Sequence, residues 1–277
     1  MERGYFADLI FPGTLHKNFK NSTDPAYLEI RNRIENVWKL APEKLVNRFI
    51  DLSDSNFTGY RGLIFELYIL EQLCLGEFEI SYEYDGFKNS SQIDYFVKRD
   101  DFEFGIEVTT LGPNESGLIN NSLELDPNGY QKVRDVLRSK LKKVAGDIEV
   151  PTILAVCNSN SNFLASRFEH VQTLFGTPAV RLHIESGESD LVLSDEGFWI
   201  SDLDDARGYS AIYFSRGWMP GFSFMLKPQI WLNPSATNPL PLEIWPAEVD
   251  FYKAENEIYF TNKSLNFVWE KVDSILD

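Results

Sequence analysis

Between residues 58 and 157 the apolar pattern changes period in a fixed order, and this order limits the fold more than any other feature of the chain. From about Thr58 to Leu75, apolar residues at Leu63, Ile64, Leu67, Leu70 and Cys74 fall on one stripe of a helix, and Gly76 follows as a stop. Three strand-type runs come next, Phe78–Tyr84, Ile93–Lys98 and Phe102–Thr110, parted by the polar breaks Asp85-Gly86 and Arg99-Asp100-Asp101. Residues 111–129 hold four Asn, three Gly and two Pro, so they read as loop. A basic helix spans about Tyr130–Ala145, and Pro151–Cys157 reads as a buried strand. Helix, three strands, helix, strand is the order of an α/β fold with a mixed central sheet and helices on both faces.

The flanks are helical before this core and mixed after it. Asp24 and Pro25 supply an N-cap and a first helical position, which predicts a helix to about Leu40, and Ala41-Pro42 starts another through Leu52. Residues 1–57 are therefore expected to be a helical segment packed on a core of 58–175. That core ends with a helix over Phe163–Leu174. Residues 176–277 read as an α+β extension continuous with the core: strand-like pieces at Val180–Ile184, Ala211–Phe214 and Phe222–Leu232, then a short strand and a helix from Asn256. The 277 residues suffice for one large domain with a substantial core. No apolar run approaches the ~20 residues of a membrane span. The start, Met1-Glu2-Arg3-Gly4, lacks a basic region before an apolar one, so a cytoplasmic protein with no membrane partner is expected. Cys74 and Cys157 sit in apolar contexts and are expected as buried free thiols.

Charged residues inside apolar patterns mark the candidate site. Asp94 lies within Ile93-Asp94-Tyr95-Phe96-Val97, and Glu107 within Phe104-Gly105-Ile106-Glu107-Val108-Thr109. A carboxylate is disfavoured in such a strand unless it faces solvent or has a task. Two on adjacent strands can share a hard cation such as Mg²⁺, which takes oxygen ligands and keeps several waters. In the basic helix, Val133, Val136, Leu137, Leu141 and Val144 form one stripe with Lys140 near its centre, while Lys132, Arg134, Arg138, Lys142 and Lys143 fall at its edges or outside. Burying a lone ammonium is costly, so Lys140 is expected to point at a carboxylate or phosphate, the alternative being a stem that packs while its head reaches water. Glu66 lies at the margin of its helix stripe beside Gly59 and Gly62, which would let the helix approach a strand and bring Glu66 near Asp94.

Gly59-Tyr-Arg-Gly-Leu-Ile-Phe-Glu66, followed by Ile93-Asp94 and by Ile106-Glu107-Val-Thr109, resembles the PD-(D/E)xK, or restriction-endonuclease-like, nuclease superfamily. The resemblance covers a little over a third of the chain. It implies a restriction-endonuclease-like αβββαβ core over residues 58–157, with Glu66 as the helix glutamate, Asp94 as the strand aspartate and Glu107 as the second carboxylate. Thr109 stands where the superfamily's motif has lysine, and Gln92 where it has proline. Some members carry the lysine on the following helix, and Lys140 is the residue here that would take its place. The implied activity is metal-dependent phosphodiester hydrolysis, with DNA ahead of RNA as substrate, in a bacterial setting. Mg²⁺ or Mn²⁺ would be held by Asp94, Glu107 and the backbone carbonyl of Val108. Lys132, Arg134, Arg138 and Lys143 would contact phosphates.

The net charge of −16 opposes generic nucleic-acid binding, because an acidic surface repels phosphate at long range. A local basic face, a metal or a basic partner would have to offset it. The rival expectation is a nuclease-like fold without catalysis that serves as a protein-interaction module, and homodimer formation is also open. Lys140 separates the two: an ammonium within reach of Glu107 favours the enzyme, and one extended to solvent favours the module. The remaining residues offer little. His16, His170 and His183 have no metal spacing, and His170 is expected on the surface of its helix. No phosphate loop, dinucleotide fingerprint or nucleophile elbow is present in the sequence. Asn233–Pro241 reads as a structural loop, and the aromatic residues after 195 as core.

Overall fold

A computed structural model describes residues 23, 25–40, 57–84, 93–111, 129–144, 149–158, 167–193, 197–201, 206–215, 217, 228–241, 249–254 and 269–272. The N-terminal helices are α1 (Pro25–Leu40) and α2 (Phe57–Leu75), followed by β1 (Glu79–Tyr84), β2 (Ile93–Arg99) and β3 (Phe102–Leu111). Then come α3 (Gly129–Val144), β4 (Thr152–Asn158), α4 (Arg167–Phe175), β5 (Pro178–Leu182), β6 (Ser189–Leu193) and α5 (Phe198–Ser201). The last strands are β7 (Ala211–Ser215), β8 (Gln229–Leu232), β9 (Asp250–Ala254) and β10 (Trp269–Val272). From α2 to β4 the order is the αβββαβ expected from periodicity. The helix expected through Leu52 and most of the 111–129 loop lie outside the described residues.

The protein is α/β with a mixed open sheet in the order β1-β2-β3-β4-β7-β8-β9-β10. β1, β2 and β3 are antiparallel neighbours, β3, β4 and β7 run parallel, and β8 returns antiparallel to β7. β5 and β6 pair with each other in a separate hairpin. Strands β7 to β10 thus extend the same sheet beyond the first six elements. At residues 269–272, where the sequence suggested the final helix, the chain pairs with β9 as a strand. Among the described residues no helix is long and apolar enough to cross a membrane.

The sheet has a core on each face. One layer joins Ile34 and Val37 of α1 and Phe65, Ile69 and Leu73 of α2 to Tyr95, Val97, Phe104, Ile106, Val108 and Tyr213. The other joins Val133, Leu137 and Leu141 of α3, Val171 and Leu174 of α4 and Phe198 of α5 to Leu154, Val156, Ile212 and Trp231. The central strand β4 is buried from Thr152 to Cys157, as a parallel strand covered on both faces should be. Each fully buried Val, Leu or Ile contributes about 1.5–3 kcal/mol. Two polar residues are more buried than their sequence context predicts. His170 is buried, not exposed: its ring stacks on Phe214 with centroids 4.2 Å apart, and Nδ1 meets Gln229 Oε1 at 2.8 Å. The α4 face that carries Val171 and Leu174 against the sheet includes it. Arg134 is also buried, at 2% exposure, although it was expected at the stripe's edge among phosphate-contacting residues.

Candidate active site at the β2–β3 strands

Strand alternation sets the two strand carboxylates. In β3, Phe104, Ile106 and Val108 face the α1/α2 layer, so Glu107 faces α3. Tyr95 pairs with Ile106, and one further step of that register sets Asp94 beside Glu107. At that point Asp94 Oδ2 accepts a 2.6 Å bond from the Val108 amide, a short charge-assisted contact that fixes its carboxylate against β3. Gly105 permits the close pairing that precedes Glu107, since a Cβ there would lie 2.6 Å from Ile93 Cδ1.

Lys140 reaches this pair from α3. Its Nζ donates to Glu107 Oε1 at 2.9 Å, with Glu107 fully buried and the lysine side chain 21% exposed. Among the described side chains of α3, the buried ones are Val133, Arg134, Leu137 and Leu141, an arc rotated from the expected stripe. Lys140 therefore sits at the arc's margin, not its centre, and the margin is where a side chain can touch the sheet and still meet water. This margin position reconciles an ammonium with an apolar face at low desolvation cost.

Glu66 enters from α2, the one half-buried position in the otherwise buried run from Ile64 to Leu73. Its Oε2 accepts the Tyr82 hydroxyl at 3.1 Å, and its main-chain carbonyl accepts the Tyr95 hydroxyl at 3.0 Å. Burial, then the charges of Asp94 and Glu107, push its pKa up to about 7, opposed by the Tyr82 hydrogen bond and by Lys140. The glycine beside it is not obligatory: a Cβ at Gly62 would meet Thr110 Oγ1 at 3.9 Å, an ordinary contact.

No family model, curated protein or solved structure matches this chain. Three carboxylates influence one another electrostatically, with one ammonium among them, which is an arrangement that favours an added cation. Asp94 and Glu107 are hard oxygen donors, so their chemistry fits Mg²⁺ or Mn²⁺. Among the described residues, no ready-made group of three or more His, Cys, Asp or Glu side chains could hold a metal alone. A cation here would rest on Asp94 and Glu107, with water, substrate and the Val108 carbonyl completing its shell.

Among the described residues, the two arginines expected on the basic face are not both open to a phosphate. Arg134 is buried, and Arg138 Nη1 lies 3.7 Å from Asp135 Oδ1. The side chains of Lys132 and Lys143 lie outside the described residues. Two tyrosines complete the site without having been foreseen. Tyr82 holds Glu66, and fully buried Tyr209 donates to the Lys140 carbonyl at 3.1 Å. An aromatic residue in an apolar run reads as core, so nothing local distinguished either hydroxyl.

Proposed function

We propose that the protein is a metal-dependent phosphodiesterase built on a restriction-endonuclease-like core, an endonuclease with DNA as its substrate. One observation carries the reading: Lys140, from the helix after the strand hairpin, places its ammonium 2.9 Å from buried Glu107. Thr109 cannot supply a positive charge, and Lys140 supplies one to the same carboxylate. In this reading Asp94 and Glu107 hold Mg²⁺ or Mn²⁺, which lowers the pKa of water and offsets phosphate charge when bound. Lys140 stabilises the negative charge that grows on the phosphate oxygens, an effect often worth about 3 kcal/mol. Glu66, titrating near neutrality and held by Tyr82, helps hold the cation through water.

A second reading, an interaction module without catalysis, is favoured by the buried Arg134, the Arg138–Asp135 pair and the net charge of −16. Plasmid nicking in Mg²⁺ and in Mn²⁺ separates the two. The nuclease reading expects wild-type cleavage, abolished by EDTA and reduced at least about 100-fold in Asp94→Ala, Glu107→Ala and Lys140→Met. No metal-dependent cleavage by folded wild type would leave the interaction module.

A further inference from the structure

Tyr209 belongs to none of the elements that carry the candidate site, yet it reaches them. It lies 69 residues beyond Lys140, is fully buried, and donates its hydroxyl to the Lys140 main-chain carbonyl at 3.1 Å. Burial, then the charges of Glu107 and Asp94, hold its phenol well above the ordinary pKa, so the hydroxyl stays protonated and able to donate. A buried phenol must satisfy its O–H, and this one does so on a carbonyl, which has a second lone pair beyond its helix bond. Lys140 Nζ donates to Glu107 and the Val108 amide to Asp94.

The tyrosine is itself held on both sides. Its amide bonds the Ala206 carbonyl at 3.1 Å, and its carbonyl accepts Asn233 Nδ2 at 2.8 Å. The same Asn233 Nδ2 also bonds Ala206 O at 2.9 Å. Next in the chain, Ser210 is locked to the start of β4: its amide donates to Thr152 O at 2.7 Å, and its Oγ accepts the Thr152 amide at 2.8 Å. A rigid run thus extends from the end of β8 through Tyr209 to the turn of α3 that carries Lys140. A lysine has four rotatable side-chain bonds, so where its ammonium rests depends on where its Cα is fixed.

We propose that Tyr209 is a positioning residue, whose hydroxyl pins the Lys140 turn of α3 so that the ammonium stays on Glu107. The pinning itself needs no catalysis; its consequence for cleavage rests on the nuclease reading. The first test is therefore independent of activity. Metal-free full-length wild type, Tyr209→Phe and Glu107→Gln are acetylated with an N-hydroxysuccinimide ester, and rates at individual lysines are read by peptide mass spectrometry. Lys98, whose side chain is 52% exposed, is the reference. Tyr209→Phe should speed acetylation of Lys140 at least three-fold, toward the Glu107→Gln rate, with Lys98 unchanged. An unchanged Lys140 rate, or equal acceleration at Lys98, overturns the proposal.

If Tyr209→Phe folds poorly, the wild type answers the same question by NMR. A slowly exchanging Tyr209 hydroxyl proton with a cross-peak to the Lys140–Leu141 backbone supports the pin, and a rapidly exchanging one without that cross-peak overturns it. In the nicking assay, Tyr209→Phe should lower kcat about ten-fold with KM retained, because substrate contacts are untouched. If wild type cleaves and the variant matches it in kcat, the catalytic consequence is lost. If wild type does not cleave, the nuclease reading fails while the acetylation result still decides the pin.

Discussion

Glu66 interrupts a buried run of α2 and keeps a carboxyl whose pKa stands at about 7 against an ordinary 4.5. Between those values the folded protein retains a proton that the unfolded chain has lost. Stability then falls as pH rises through this window. The Glu66 contribution is fully present below about pH 4.5 and is lost once pH passes about 7. Urea unfolding in EDTA at pH 5 and pH 8 should show wild type losing more stability than Glu66→Gln; equal losses would contradict the assignment. The charged members of the site were legible because each breaks a local rule: Asp94 and Glu107 sit in apolar strands, and Lys140 near an apolar helix face. Tyr82 and Tyr209 break none. Their roles arise from partners 16 and 69 residues away, which no local pattern encodes.

At the scale of elements, periodicity located the helices and strands of the core to within a few residues, because each buries a face with its own period. It missed which side chains share the buried arc of α3. Arg134 lies inside that arc and Lys140 at its margin, a rotation set by the sheet beneath it and not by the helix alone. Register is equally a matter of contact, and Gly105 shows how it is kept. A methyl at this position would press on buried Ile93 Cδ1 at 2.6 Å, at the base of the β2–β3 pairing that aligns Asp94 with Glu107. Gly105→Ala should cost about 1–3 kcal/mol by overpacking. Adding Ile93→Val, which removes that methyl, should recover part of the loss in a double-mutant cycle. Additive effects would show that the two residues do not meet.

For the whole molecule, the sheet order was beyond sequence reasoning. The parallel joins of β4 to β7 and of β8 to β9 link segments whose pairing depends on the intervening fold. The hairpin of β5 and β6 carries Leu182 and Ile184 at 70% and 96% exposure. Residues this exposed support little of the core, so Ile184→Ser should leave thermal stability within about 0.5 kcal/mol of wild type. A loss above about 2 kcal/mol would show that the tip is packed. Charge bears on substrate in the same way. Among the described residues of α3, Arg134 is buried and Arg138 lies beside Asp135, so under the nuclease reading neither is well placed to displace counterions from DNA. The affinity of a metal-bound complex should therefore fall only gently with salt, with a log–log slope shallower than about −3. A steep slope would point to phosphate contacts beyond the described residues.

The claim on which the rest depends is that Asp94 and Glu107 together bind a divalent cation. Titrating Mn²⁺ into wild type and into the Asp94→Ala/Glu107→Ala variant by isothermal calorimetry tests it most directly. Saturable binding by wild type that disappears in the folded variant is the expected result. No binding at millimolar Mn²⁺, or equal binding by both proteins, would contradict it.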